Sequence, residues 1–266
     1  MTGAAVPILM YHSVAHCPSD ATHALSVAPE AFAEQMALLG ESGHTALTTA
    51  ELARIWRDGG PLPPRPVLIT FDDGYEGVHR HALPVLVRHG LTSTVFVATG
   101  WLRGAHDTGG GLDTMLDWDQ VRELAAAGTE IGGHSHTHPQ LDQLGDTALP
   151  AELDRCREIV TAELGTRPAS FAYPYGYSSR RVRRLVRDAG FAQALAVGNG
   201  LARREQGPYA LRRVTVRRST GAAEFARLVE GRALARTFAR DRALTRGYAV
   251  VRRARQVRRK AIRTRV

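Results

Sequence analysis

The segment HSHTH (134–138) combines a residue type and a spacing that suit metal binding. His134 and His138 are four residues apart. On a helical turn or in a tight loop this spacing directs both imidazoles to one point and turns His136 away. A cluster of surface histidines is the alternative interpretation of this segment taken alone.

A second segment, TFDDGY (70–75), follows the apolar run VLI and places two carboxylates side by side. No basic residue is among their immediate neighbours, so Asp72 and Asp73 repel each other unless a cation lies beside them. A helix cap or turn pair is the alternative. From the two segments together we predict that Asp73, His134 and His138 hold a metal, because two histidines and a carboxylate form a common catalytic zinc site.

Alternating strands and helices are predicted to position these segments. Four helical patterns end at the glycines 43, 90, 128 and 190, each after an apolar stripe. This alternation is typical of α/β folds with mostly parallel strands, in which the C-terminal strand ends carry the chemistry. Seven short apolar runs are candidate strands: 7–12, 66–71, 93–98, 129–134, 170–174, 192–197 and 211–216.

The chain resembles the polysaccharide deacetylases, the NodB homology domain of carbohydrate esterase family 4. The resemblance runs from about Val6 to Gly231 and rests on three motifs in the family's order: TFDDGY (70–75), HSHTHPQL (134–141) and FAYPYG (171–176). It implies a distorted (β/α) barrel of about seven strands, with a divalent metal, often zinc, at the strand ends.

The resemblance also implies roles for single residues. Asp73, His134 and His138 correspond to the metal ligands, and Asp72 to the base that takes a proton from the attacking water. The backbone N–H of Tyr175 in FAYPYG corresponds to an oxyanion donor, in a turn fixed by Pro174.

Two positions depart from the best-known family pattern. Ala172 stands where longer members have an arginine that pairs with the base, and no histidine follows His138 to act as the general acid. The chain resembles the branch that includes poly-N-acetylglucosamine deacetylases, in which a histidine from an N-terminal Tyr-His motif takes that place. We therefore predict His12 as the acid and Arg213 as the partner of Asp72, the alternatives being ordinary structural roles.

Aromatic residues just after the strand-end motifs are candidates for stacking on a sugar ring. They are Tyr75, Trp101 and Tyr177. The glycine-rich loop GAHDTGGGLD (104–113) has no phosphate-binding context, and we interpret it as a loop on the substrate side.

Composition predicts a soluble globular protein in a reducing compartment. The 266 residues suffice for one substantial core, and they contain no apolar run of 18 residues and no recognisable signal peptide. The two cysteines, Cys17 and Cys156, are too few for a disulfide framework. These features predict a cytoplasmic protein.

Basic residues are concentrated at the end of the chain. Residues 232–266 hold 13 of the 35 Lys and Arg residues and one acid, whereas residues 1–231 hold 22 basic and 25 acidic residues. We therefore predict a catalytic domain over 1–231 and an arginine-rich tail over 232–266. The tail is interpreted as a solvated extension or as a peripheral contact with the anionic inner membrane face. Because no nucleic-acid motif accompanies it, nucleic acid is the less favoured partner.

The combined prediction is a metal-dependent hydrolase, with zinc as the expected metal, that removes the N-acetyl group from an N-acetylated sugar or saccharide. A related metal-dependent amidase or deformylase is one alternative. A catalytically silent carbohydrate-binding protein is another, although the presence of both acids and both histidines argues against it.

Overall fold

The strands form one curled parallel sheet that makes up half of a barrel. The computed structural model describes residues 4–245, 247 and 248. The order across the sheet is β7-β6-β5-β4-β3-β1-β8, with β2 paired to β3, and every pairing is parallel. The strands are β1 (Ile8–Tyr11), β2 (Thr45–Ala46), β3 (Pro66–Phe71), β4 (Thr94–Val97), β5 (Glu130–Gly133), β6 (Ser170–Ala172), β7 (Gln193–Leu195) and β8 (Val214–Thr215).

Helices cover the outer face of the sheet. They are α1 (Pro29–Glu41), α2 (Thr49–Asp58), α3 (Leu83–Arg88), α4 (Trp118–Ala126), α5 (Ala148–Leu164), α6 (Arg180–Asp188), α7 (Ala222–Val229) and α8 (Leu234–Thr237). Each of the four predicted helices ends two residues before its glycine, and all four glycines have positive φ values. The expectation of glycine at the helix ends is therefore confirmed.

Alternation along the strands divides the core into two layers. In β3, Ile69 and Phe71 pack in the layer shared with the outer helices, whereas Leu68 lies in the inner layer. Ile8 of β1 and Phe96 of β4 fill the same inner layer. Because both faces are covered, the strands are nearly continuous apolar runs, as expected of a parallel sheet. The predicted α/β architecture of about seven parallel strands is confirmed, and the two-residue strand β2 is an addition.

The first part of the segment after residue 231 packs against the domain. Leu234 and Phe238 are buried with Val214 of β8, and Arg217 pairs with Asp241 at 2.7 Å. The packing of the described residues thus continues beyond the predicted boundary at 231. Most of the predicted basic tail, residue 246 and residues 249–266, lies outside the described residues, and its docking on a membrane stays a prediction.

Within the described part of the chain, no helix combines the length and the apolar character needed to cross a membrane.

Candidate active site

The C-terminal ends of neighbouring strands bring the predicted site residues to one rim. The ladder continues one residue past β3, where the Asp72 N–H donates to the Tyr11 carbonyl at 3.0 Å. It also continues past β5, where the His134 N–H donates to the Val97 carbonyl at 2.9 Å. Since the strands are parallel, their C-terminal ends face the same way, and the polar residues that follow them share one edge of the sheet.

Three side chains at this rim converge as a metal site would require. His134 Nε2 and His138 Nε2 lie 3.2 Å and 3.3 Å from Asp73 Oδ1. One ligand atom from each of the three residues lies within 4.8 Å of the others. Asp73 and His134 are buried, and the side chain of His138 is 9% exposed. The structure therefore brings together all three predicted metal ligands.

Hydrogen bonds and backbone conformation hold these ligands in place. His134 Nδ1 donates to the Ala172 carbonyl at 2.8 Å, which leaves the lone pair of Nε2 free to face Asp73. Ser135 Oγ accepts from the His138 N–H at 3.1 Å, which holds the loop between the two histidines. Asp73, Ser135 and His138 all have left-handed φ values, of 75°, 66° and 59°. Such strained backbone clusters at functional sites.

The same side chains fit a divalent cation better than they fit one another. Asp73 Oδ1 and His138 Nδ1 are buried without a hydrogen-bond partner among the described residues. A buried carboxylate oxygen without partners is costly, whereas two neutral imidazoles and one carboxylate are a normal ligand set for a divalent ion. The residues present therefore suit such an ion.

The neighbouring carboxylate is held by a fixed cation. Arg213, which is fully buried, binds Asp72 through two parallel contacts, Nη1 to Oδ1 at 2.6 Å and Nη2 to Oδ2 at 2.7 Å. The guanidinium is also placed by Thr70 Oγ1 at 3.3 Å and by the Ala196 carbonyl at 3.4 Å. The predicted partner of Asp72, Arg213, thus lies beside it and takes the place of the arginine that longer family members have in the third motif.

The two acids carry lowered pKa values for different reasons. Burial raises the pKa of Asp72, but the Arg213 guanidinium and then His134 bring it below its ordinary value. Burial likewise raises the pKa of Asp73, but the contacts with His134 and His138 lower it well below the ordinary value. Both carboxyls are therefore held as carboxylates at neutral pH.

The predicted acid, His12, lies beside these carboxylates at the end of β1. It lines the same pocket as Asp72 and Asp73, and its Nδ1 is buried without a partner among the described residues. Burial lowers the pKa of His12, while the charges of Asp73 and Asp72 act in the opposite direction. The structure brings His12 to the site without testing its role.

The turn after β6 presents a backbone donor and an aromatic ring. Tyr175 has a left-handed φ of 58°, and the Gly176 N–H closes the turn on the Tyr173 carbonyl at 2.7 Å. Among the described residues, no hydrogen bond uses the Tyr175 N–H. The Tyr175 side chain is 52% exposed, and its ring centroid lies 4.8 Å from that of His138. The motif predicted a role only for the N–H of Tyr175, so its ring is an additional contact surface.

The predicted sugar-stacking residues have different positions around a pocket of about 230 Å³. Trp101 lines the pocket and packs with its ring centroid 4.4 Å from that of His138. Tyr75 also lines it but is only 2% exposed. Tyr177 stacks on Tyr175 at 6.0 Å and lies beside the pocket, outside the residues that line it. Trp101 and Tyr175 therefore both line the pocket, and Tyr175 is the more exposed of the two, at 52% against 8%.

Two loops complete the pocket, and only one of them was anticipated. Leu112 of the glycine-rich loop lines the pocket, as expected for a substrate-side loop, and Thr22 lines it from the other side. Asp113 joins these loops by accepting from the Ser19 N–H and from Thr22 Oγ1, both at 2.9 Å. The residues joined are more than 90 positions apart, and no sequence pattern indicated the contact.

His136 lies away from the metal ligands, as its position in the segment predicted. Its Nδ1 lies 3.0 Å from Thr99 Oγ1, and its N–H donates to Glu152 Oε2 at 2.9 Å. It therefore supports the histidine loop.

Comparison with known proteins places this arrangement in a family. The model of the family described as "Polysaccharide deacetylase" matches residues 59–194, which is just over half of the chain. Among curated proteins, YxkH of Bacillus subtilis (strain 168), a protein assigned to the polysaccharide deacetylases, is 27% identical over 227 residues. These cover 85% of this chain and 77% of that protein.

Two further relatives differ in what they show. The poly-β-1,6-N-acetyl-D-glucosamine N-deacetylase of Escherichia coli (strain K12) is 25% identical over 218 residues, covering 68% of this chain but only 32% of that enzyme. The Streptococcus pyogenes deacetylase PplD, solved in complex with acetate, has a TM-score of 0.77 at 22% identity, covering 86% of this chain and 99% of that one. The similarity to PplD establishes the fold.

Proposed function

The chain belongs to the polysaccharide deacetylase family, and on that premise we propose that it hydrolyses the N-acetyl amide of an N-acetylated saccharide with a divalent metal held by Asp73, His134 and His138. Zinc is the metal we expect, because imidazole nitrogen and carboxylate oxygen are its usual ligands in catalytic sites. The relatives named as poly-β-1,6-N-acetyl-D-glucosamine deacetylases support an N-acetylglucosamine polymer or oligomer as the substrate.

One observation carries the proposal: a buried Asp-His-His cluster lies beside a second carboxylate that has its own arginine. A structural ion pair would need only one of these acids. Two carboxylates in different surroundings suit two tasks, one holding an ion and the other moving a proton.

Asp72 has the surroundings of a general base. When bound at the three ligands, a divalent ion supplies a polarised acyl oxygen and a water of lowered pKa. Asp72 accepts the proton of the attacking water, and Arg213 keeps this carboxylate charged and oriented because both guanidinium nitrogens hold its oxygens. The Tyr175 N–H donates to the oxygen on which negative charge develops.

His12 is our candidate for protonating the leaving amine. It faces the pocket from β1, next to the base. Burial lowers the pKa of His12, and the charges of Asp73 and Asp72 oppose this shift. In this assignment Asp72 takes up one proton and His12 delivers another to the nitrogen. Neither residue must therefore change role within one turnover.

The experiment that tests the function measures metal content together with acyl release. Chelator-treated protein is reconstituted with Zn²⁺ and incubated with β-1,6- and β-1,4-linked N-acetylglucosamine oligomers and with nucleotide sugars, and acetate and formate are quantified. We expect about one ion per chain and release of acetate, both lost in Asp73→Ala. Asp119→Ala, which removes an exposed acid on α4, is the matched control and keeps both. Metal-loaded, folded protein that releases neither acid from any amide would contradict the proposal.

A second variant tests the acid. His12→Ala is expected to lower kcat by about 100-fold or more while metal content stays unchanged. His89→Ala, which alters the histidine at the C-terminal cap of α3, keeps its activity as the matched control. Near-normal turnover in His12→Ala would remove this residue from the mechanism.

A cytoplasmic location, with the basic tail on the inner membrane face, stays a prediction. A membrane co-sedimentation assay with and without residues 233–266 tests the second part.

A further inference from the structure

An arginine-lined groove lies along α6, outside the active-site pocket. Its volume is about 280 Å³. One wall consists of four arginines from a single helix, and the other is the loop 206–210, which contributes no charged residue. The four arginines are Arg180, Arg183, Arg184 and Arg187.

The positive charge of this groove is poorly neutralised. Among the described residues, neither Arg180 nor Arg184 has a carboxylate within ion-pair distance. By contrast, Arg181 on the same helix points elsewhere and pairs with Asp146 at 2.7 Å. Arg187, at the far end of the groove, pairs with Asp188 at 3.0 Å. Of the four groove arginines, Arg180 and Arg184 therefore have no carboxylate partner among the described residues, whereas Arg187 has one.

The opposite wall is fixed before any ligand arrives. Tyr209 donates through its hydroxyl to the Phe191 carbonyl at 3.0 Å, and its own carbonyl accepts from the Tyr173 hydroxyl at 2.9 Å. The Pro208 carbonyl accepts from the Ala194 N–H at 2.8 Å. A wall tied at three points loses little conformational entropy on binding, so the groove is preorganised.

Along the chain, the groove begins three residues after Tyr177 of the active-site turn. The ring of Tyr175 lies 4.8 Å from that of His138 and 6.0 Å from that of Tyr177. Three residues later α6 starts at Arg180, capped by Ser179 Oγ on the Val182 N–H at 3.2 Å. Arg183 is held at the entrance by Ser178, through Nε to Oγ at 3.1 Å. The turn that carries the two tyrosines therefore leads directly into the helix that lines the groove.

We infer that this groove binds a phosphate group carried by the saccharide substrate, at a distance from the N-acetyl group that is hydrolysed. Guanidinium groups match phosphate oxygens in pairs, and four of them exceed what a single carboxylate would neutralise. The substrate class is then a phosphate-bearing N-acetylated saccharide. Its link to catalysis rests on the proposed deacetylase function, whereas the affinity of the groove for phosphate does not.

The first experiment measures the groove alone. Calorimetric titration of the full chain with inorganic pyrophosphate compares the wild type, the double variant Arg180→Gln/Arg184→Gln and a matched control, Arg54→Gln/Arg88→Gln. The control removes two exposed arginines that lack ion pairs elsewhere among the described residues and leaves the basic tail intact. We expect about tenfold weaker binding only in the groove variant. Equal binding in both variants would overturn the inference.

The second experiment connects the groove to turnover. An N-acetylglucosamine oligomer carrying a terminal phosphate is compared with the same oligomer without it. In the groove variant we expect KM for the phosphorylated oligomer to rise about tenfold with kcat unchanged, and no change for the neutral oligomer. If pyrophosphate binding falls but this KM does not, the phosphate belongs to another source, and the substrate assignment is overturned. Weaker binding of the groove variant than of the wild type to phosphatidylglycerol vesicles or to single-stranded DNA would then identify that source.

Failure of the proposed function has a different signature. Wild-type protein that binds pyrophosphate in the groove but releases no acetate from either oligomer would overturn the deacetylase and, with it, the phosphate-bearing substrate. The groove would remain a phosphate site.

Discussion

A half-buried carboxyl group lies at one end of the parallel sheet and a buried one at the other, and their surroundings move their pKa values in opposite directions. At the N-terminal end, Glu130 accepts hydrogen bonds from the Ala50 N–H at 2.7 Å and from the Ser170 hydroxyl at 2.6 Å, both neutral donors. Burial therefore dominates, and the pKa of Glu130 is raised. At the C-terminal end, burial acts on Asp72 as well, but the Arg213 guanidinium outweighs it and the pKa is lowered.

This contrast separates a structural acid from a functional one. Neutral donors suffice to bury a carboxyl group, which becomes easier to protonate as a result. Keeping a buried carboxylate charged requires a fixed cation, and supplying one costs the desolvation of a second charge. The buried Arg213–Asp72 pair lies at the C-terminal end of the sheet, which is where a base would be used.

The largest expected effect follows from removing the charge at the functional end. In Asp72→Asn the side chain keeps its shape but cannot accept a proton, so we expect kcat to fall by about 10²–10⁴-fold with metal content unchanged. Glu130→Gln makes the same acid-to-amide change at the opposite end of the sheet and is expected to keep full activity. Acetate release and metal analysis on both variants check the prediction. Similar losses in the two variants would contradict the division into structural and functional ends.

A smaller effect is expected when the cation is removed and the acid is left. Without the guanidinium the pKa of Asp72 rises, so in Arg213→Met the base becomes protonated at higher pH. The acid limb of the pH profile of kcat/KM therefore moves upward. Breaking a buried pair also lowers the free energy of unfolding by about 3–5 kcal/mol, measurable in urea.

Arg213→Lys provides the comparison that keeps this prediction testable if the methionine variant unfolds. It retains the charge but loses the two-point contact, so its acid limb is expected to stay closer to that of the wild type. An acid limb that does not move in a folded Arg213→Met variant would show that the guanidinium does not set the pKa of Asp72.

Local patterns in the sequence predicted most of the fold and the ligands of the site. The seven main strands were recognisable because burial on both faces leaves nearly continuous apolar runs. The ends of four helices were marked by glycines that the chain needs for positive φ values, such as the 87° of Gly128. Asp73, His134 and His138 were found because each lies directly after a strand or four residues from another ligand.

The remaining features depend on contacts that no local pattern encodes. The strand β2 has only two residues, too few for a periodic signal. The hydrogen bond from the Ser19 N–H to the Asp113 carboxylate joins positions 94 apart in the chain. The pairing of Arg213 with Asp72 joins positions 141 apart, and only the family resemblance, through the absence of an arginine at Ala172, pointed toward it. Spatial neighbours of this kind are fixed by the closure of the sheet, which a single sequence does not reveal.

The smallest expected effect concerns the structural end and appears in stability. Because the folded-state pKa of Glu130 is raised, the folded protein holds this proton more tightly than the unfolded chain does. The contribution of Glu130 to the free energy of unfolding is therefore fully present below its pKa in the unfolded chain, and it is lost as pH rises through its pKa in the folded protein. Glu130→Gln cannot ionise, and its amide can be accommodated because the Ser170 hydroxyl can turn to accept from it. We expect the difference in unfolding free energy between variant and wild type to move in favour of the variant by about 1 kcal/mol as pH rises across that window.

Urea unfolding of chelator-treated protein at a series of pH values measures this difference without interference from metal binding. Asp119→Asn, an exposed acid on α4, is the control and should show little pH-dependent change relative to the wild type. A difference between Glu130→Gln and wild type that is constant over pH would mean that Glu130 titrates alike in the folded and unfolded chains. In that case burial with neutral donors would not by itself raise the pKa here, and the contrast between the two ends would rest on Arg213 alone.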